Sequence, residues 1–121
     1  MELSLKDLKE LLIVNQKTES GINDFCIGKK VIIRTYSAGV WFGTLQEKSG
    51  NEVILSDARR MYRWWAAESI SLSACARYGI KRDKSKICEA VDSVWLEAIE
   101  IIPCKAIASE SIEGAPNVKA E

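Results

Sequence analysis

The stretch Val31–Trp65, VIIRTYSAGVWFGTLQEKSGNEVILSDARRMYRWW, decides the fold. Its first five residues, Val31 to Thr35, are rich in β-branched side chains and short, which is the mark of a strand. Tyr36-Ser37-Ala38-Gly39 reads as a turn, and Val40–Gln46 as a second strand. Gly43 lies inside that strand, where a glycine signals a bulge or a sharp bend. Glu47–Asn51 is a hairpin loop, with Gly50 at a position suited to positive φ. Glu52–Ser56 is a third strand, Asp57-Ala58 a kink, and Arg59–Trp65 a fourth strand. Short strands with a bend glycine describe a small curved barrel better than a flat sheet.

Outward from this stretch the pattern changes. A helix is expected after Ser69 or Ser71, either of which can cap it, with Leu72, Cys75 and Ala76 inward and Gly79 at its end. Lys81–Lys86, KRDKSK, is a basic loop. Residues 90–96 and 98–102 read as two further strands, closed by Pro103. At the other end, residues 4–14 form an amphipathic helix: Leu5, Leu8, Leu11 and Leu12 share a face, and Ser4 with Asp7 resembles a capping box. The expected organisation is an N-terminal helix and linker over 1–25, a small β-barrel-like domain with an inserted helix over 26–103, and a loose acidic tail over 104–121. The expected fold is mainly β with α, a small bent SH3-like or Sm-like barrel.

The 121 residues carry 17 basic and 17 acidic side chains and no histidine. The length suits a single domain. Lack of histidine removes Ser-His and Cys-His catalysis and His-ligated metals. Cys26, Cys75, Cys88 and Cys104 form no C-x-x-C pair, so a zinc or redox site has no support, and they read as reduced thiols. No catalytic residues, metal or cofactor are expected. Asp57 alone, beside the arginines, reads as an arginine partner or turn former. No apolar run nears the ~18 residues of a membrane span. The N-terminus also lacks the basic head and apolar stretch of a secretory signal, so a cytoplasmic setting is expected.

The zero sum hides a pattern. Residues 1–25 hold three basic against five acidic side chains, 26–88 twelve against five, and 89–121 two against seven. The middle is basic and the ends are acidic. Three arginines and three aromatics crowd into Arg59-Arg60-Met61-Tyr62-Arg63-Trp64-Trp65. On a strand, Arg60, Tyr62 and Trp64 share one face, and Arg59, Met61, Arg63 and Trp65 the other. Tyr62 with Trp64 could stack a base while an arginine holds phosphate. Arg34 and Tyr36, in the turn segment with its hydroxyls and the N–H groups around Gly39, form a second candidate anion site. The basic loop 81–86 is a third. The ordinary structural reading competes at each: one strand face in the core with paired arginines, a plain hairpin, a solvated charge run. Trp41 and Trp95 are explained by core packing or a subunit interface.

The run from Val31 to Arg60, followed by Tyr62-Arg63-Trp64 and by Ala98–Pro103 (AIEIIP), resembles a family of small bacteriophage and prophage proteins. Its features are a TYSAG turn, an L-x-DARR segment and a terminal EIIP strand. The resemblance spans about two-thirds of the chain and implies a phage setting. Small phage proteins without catalytic residues often act by binding, and one class of homo-oligomers sequesters cyclic nucleotide signals of anti-phage defence. The expected function is therefore a non-enzymatic, oligomeric binder of a small nucleotide-like anion, with Arg34, Tyr36, Arg59, Arg60, Tyr62, Arg63 and Trp64 as the ligand-binding residues. Two alternatives are an RNA- or single-stranded-DNA-binding Sm-like module, and a structural assembly protein. No membrane partner is expected.

Overall fold

The computed structural model describes residues 22–119. The expected N-terminal helix and most of the linker lie outside them. Five strands and two helices follow in the order β1 (Lys30–Thr35), β2 (Val40–Ser49), β3 (Glu52–Arg63), α1 (Leu72–Tyr78), β4 (Lys86–Ile87), β5 (Val91–Pro103) and α2 (Ala106–Glu113). The chain is mainly β, with every strand pairing antiparallel. The sheet order is β2-β1-β5-β3-β4, and β2 also pairs with β3. That extra pairing closes β1, β2, β3 and β5 into a ring.

β5 makes the closure geometrically feasible. Its first half pairs with β3, from Val91 to Glu97, and its second half with β1, from Ala98 to Pro103. The two stretches expected as separate strands are one bent strand. The expected third and fourth strands are likewise one, β3, whose bend lies at Asp57 with φ 48. A bulge increases local twist and bends the strand without ending it. Gly43 marks a second bend: a Cβ there would stand 3.0 Å from the Ser56 carbonyl oxygen and 3.1 Å from the Ala58 Cα. The β2–β3 register shifts across this residue, between Phe42 and Thr44.

Alternation divides the core in two. Val31, Ile33, Trp41, Leu45, Val53, Leu55, Ala58, Leu96 and Ala98 form one cluster, within the ring. Ile32, Phe42 and Met61 face the other way and pack with Leu72, Cys75 and Ala76 of α1, Ile80, Ile87, and Ile112 of α2. Val31, Ile32 and Ile33 are all fully buried because β1 is covered on both faces. The apolar run that opened the sequence reading is this doubly covered strand.

α1 begins and ends as its residues dictate. Ser71 Oγ accepts from Ala74 N at 3.1 Å, and Gly79 closes the helix. At Gly79 a Cβ would meet Ser111 Cβ at 2.6 Å, so α2 packs where only glycine fits.

α2 corrects the expectation of a loose tail over 104–121. Ala108 and Ile112 are fully buried, and Ala115 nearly so. Ala108 and Ile112, four residues apart, share the helical side that faces the core, and Ala115 packs there just past the helix end. Lys30 forms an ion pair with Glu113, tying β1 to this helix.

Candidate functional site

The arginine-aromatic segment is split between the two faces of β3, and the split assigns different work to adjacent arginines. Arg59 follows Met61 inward and is 5% exposed. Its Nε donates to Cys88 O at 2.9 Å. Nη1 donates to Ile112 O at 2.8 Å, Glu113 O at 3.0 Å and Ala115 O at 2.8 Å. Nη2 donates to Ile87 O at 3.4 Å and to Asn117 Oδ1 at 2.8 Å. These carbonyls lie at and just past the C-terminal end of α2, where helical partners run out. A guanidinium there also meets the negative end of the helix dipole. Burial pulls the Arg59 pKa down, because desolvation disfavours the charged form. Arg59, expected to hold a ligand, is a structural tie between β3, the residues after β4, and α2.

Arg82 of the basic loop does similar work. Its Nε donates to Ser111 O at 2.9 Å and Nη2 to Glu110 O at 3.0 Å. No basic residue occupies the last turn of α2 itself, so two arginines from elsewhere supply its C-terminal cations.

Arg60 faces the opposite way. Its guanidinium lies 4.6 Å from the centroid of the Trp41 ring, directly across the β2–β3 register. Nη1 comes within 3.6 Å of the position a Cβ would take at Gly39. Trp41 is itself fixed, because its indole Nε1 donates to Ala38 O at 3.0 Å. Thr35 locks the turn: its Oγ1 donates to Gly39 O at 2.7 Å and accepts from Ala38 N at 2.8 Å. That hydroxyl and that N–H are thus engaged within the turn that was expected to receive an anion.

Further along β3, Tyr62 is 72% exposed and Arg63 is exposed beside Lys86 in the β3–β4 register. Trp65 is half exposed, with Lys84 Nζ 5.4 Å from its ring centroid. Ser85 Oγ accepts from Trp65 N at 3.1 Å, holding the basic loop against the end of this segment. Trp64, expected to stack beside Tyr62, instead packs against the core between the sheet and the helices. β3 ends at Arg63, so strict alternation no longer applies to Trp64.

The turn residues part company with this surface. Arg34 Nε donates to Glu100 Oε1 at 3.0 Å, and alternation puts it on the face of Ile32, away from Trp41. Tyr36, 91% exposed, lines a separate groove with Ser37, Asn51, Trp95, Glu97 and Ile99. Of the seven expected residues, Arg60, Tyr62 and Arg63 stay exposed on β3. Arg60 lies against the buried Trp41, and beyond the strand's end Trp65 lies against Lys84. Trp65 and the lysine-rich loop were each visible in sequence, but nothing local showed that the loop folds back onto the tryptophan.

Asp57 supplies the bend of β3, in keeping with a turn former. Among the described residues no group of three or more His, Cys, Asp or Glu is placed to hold a metal ion. Cys26, Cys75, Cys88 and Cys104 are all free. Burial raises the Cys75 thiol to about 11 and the Cys104 thiol to about 12. No helix among the described residues is long and apolar enough to cross a membrane.

The fold and site define a small antiparallel β-ring protein backed by two helices, with a basic aromatic strand face. Residues 28–112 match the model of a family described as Domain of unknown function (DUF6948), and the chain belongs to that family. No curated protein matches the chain.

Proposed function

We propose that this chain is a non-enzymatic binding protein for a nucleotide-like anion, held around the exposed C-terminal end of β3. The observation that carries the reading is the sorting of adjacent arginines. Arg59 is consumed by main-chain carbonyls, whereas Arg60 is presented over Trp41, and Tyr62 and Arg63 stay exposed further along the strand. Arginines suit bidentate phosphate recognition, and tyrosine and tryptophan faces suit bases. Arg60 and Arg63 would take phosphate; Tyr62 and Trp65 would stack bases, with Lys84 adding charge.

The fuller form of this reading is a small bent barrel of SH3-like or Sm-like type, in a phage setting, acting as a homo-oligomer in the host cytoplasm. It would sequester a cyclic nucleotide immune signal. The ring of four strands and the bend at Gly43 support the barrel. The TYSAG and L-x-DARR resemblance supports the phage setting. In this form a second copy encloses the ligand against β3.

A second reading, an RNA- or single-stranded-DNA-binding module, is favoured by one observation. The exposed run from Arg60 through Tyr62 and Arg63 to Trp65 is longer than one nucleotide needs, since a strand rises about 3.3 Å per residue. The two ligand forms separate by calorimetry. Cyclic dinucleotides and cyclic ADP-ribose isomers are titrated first, then a labelled oligonucleotide over a salt series. An enclosed small ligand gives saturable heat with weak salt dependence; a strand binds with steep salt dependence. Absence of binding by both classes overturns the proposal.

A further inference from the structure

The outer face of β5 carries a second surface, of opposite charge to the β3 face. Trp95 is 54% exposed and Ile99 is 52% exposed. With Tyr36, Ser37 and Asn51 they line a groove of about 350 Å³. Trp95 also walls an adjoining depression of about 210 Å³, with Ile54, Glu47, Glu52 and Lys48, whose ammonium donates to Gly50 O. One tryptophan therefore forms the ridge between two hollows that run along the strand.

The carboxylates around that ridge are unusual. Glu52 of β3 stands directly opposite Glu97 of β5, and Ile54 opposite Trp95. Glu47 of β2 stands opposite Ile54 in turn. Like charges directly opposite on neighbouring strands are destabilising. The ion pairs found among the described residues join Lys30 to Glu113 and Arg34 to Glu100, so none relieves Glu47, Glu52 or Glu97. A cation placed between Glu52 and Glu97 would remove the repulsion, and the adjacent indole face would attract the same cation.

We propose that this groove docks an arginine-bearing, extended peptide segment of a partner protein. The arginine lies over Trp95 and pairs with Glu52 and Glu97, and a neighbouring apolar residue fills the hollow between Tyr36 and Ile99. Arginine is favoured over lysine because a planar guanidinium can stack on the indole while bridging two carboxylates. An open, two-lobed groove suits an extended chain with alternating side chains, since successive residues can enter successive hollows. Its β3 residues, Glu52 and Ile54, precede the bend at Asp57, whereas the proposed anion surface uses Arg60 to Arg63 beyond it.

The test uses the full chain, labelled with nitrogen-15, and three acetylated, amidated hexapeptides of sequence Ala-Leu-Ala-Arg-Ala-Ala. In the second, lysine replaces the arginine; in the third, uncharged citrulline does. The arginine peptide is expected to shift the Trp95 indole N–H signal and the amides of residues 52 and 95–99. The lysine peptide should bind several-fold more weakly, and the citrulline peptide about tenfold or more weakly. The paired substitutions Glu52→Gln and Glu97→Gln, both on the exposed strand face, should weaken the arginine peptide by about tenfold while leaving the Trp41 indole signal in place. Equal binding of arginine and citrulline peptides overturns the proposal, as does unchanged affinity in the glutamine variant or absence of shifts at Trp95. Concentration-dependent Trp95 signals in the free chain would assign the groove to a second copy and overturn it too.

Discussion

The Arg60 guanidinium stacks 4.6 Å from the centroid of Trp41, while its chain neighbour Arg59 points the opposite way into main-chain carbonyls. A strand can give two adjacent identical residues unrelated roles, because each step reverses the face. The stack also restrains the Arg60 side chain, which lowers the ordering cost of binding an anion.

Arg60→Ala should abolish most nucleotide binding and cost little stability. The cation–π contact is worth about 0.5–1 kcal/mol at an exposed site. Chemical denaturation should show a shift of that size, and calorimetry on the same sample should show affinity reduced by about tenfold or more.

Arg59→Ala should behave inversely. It strips the Cys88, Glu113 and Ala115 carbonyls of this donor at once, while Ile87 O and Ile112 O keep the N–H groups of Val118 and Ala115. Buried groups left unpaired cost about 1–3 kcal/mol each when water cannot reach them. A loss of at least about 3 kcal/mol is expected from denaturant midpoints, with α2 the first element to lose amide-exchange protection. Arg59→Lys should recover only a small part, because an ammonium cannot span the same fan of acceptors.

Gly43→Ala should destabilise through backbone crowding. The added methyl meets Ser56 O at 3.0 Å and Ala58 Cα at 3.1 Å, and neither is the end of a flexible side chain. Overpacking of this kind costs about 1–3 kcal/mol. A thermal melt of the variant should fall clearly below that of Gly50→Ala, whose added methyl meets nothing within 4 Å but takes a residue with φ 58.

The thiols offer a pH-dependent readout. Burial raises Cys75 to about 11 and Cys104 to about 12 from an ordinary 9.0. A raised folded-state pKa favours the protonated thiol, so this contribution to stability is complete below pH 9.0 and declines as pH climbs toward 11 and 12. At pH 8 a thiolate-selective reagent should label Cys75 and Cys104 only after denaturation. Rapid labelling of Cys75 in the folded chain would contradict the core placement.

The strand set was legible because its signals were local: β-branched runs, turn residues, and glycine in mid-strand. What sequence reading missed were continuities. Asp57 and the 97/98 junction each looked like a break, yet a bulge or bend keeps the ladder intact, and only pairing partners reveal that. α2 escapes sequence reading because its buried residues, Ala108, Ser109 and Ile112, include a single large apolar side chain, which leaves a weak hydrophobic stripe. Its stabilising partners, Arg59 and Arg82, come from 53 and 29 residues away. The face assignment of Arg59 with Met61 was correct from parity alone. Its chemistry was not, because an inward arginine declares its role only when the carbonyls it meets are known. Arg34 and Tyr36 are adjacent to the same turn but separated by strand pairing and the bulge at Thr35.

The most direct test of the central claim compares the parent chain with Arg60→Ala and Arg59→Lys in calorimetric titrations with cyclic dinucleotides, cyclic ADP-ribose isomers and a short single-stranded oligonucleotide. The account predicts saturable binding of at least one of these by the parent chain. It further predicts that binding is lost in Arg60→Ala and retained by the folded fraction of Arg59→Lys. Undiminished binding in Arg60→Ala, or no binding by the parent chain to any of them, would contradict it.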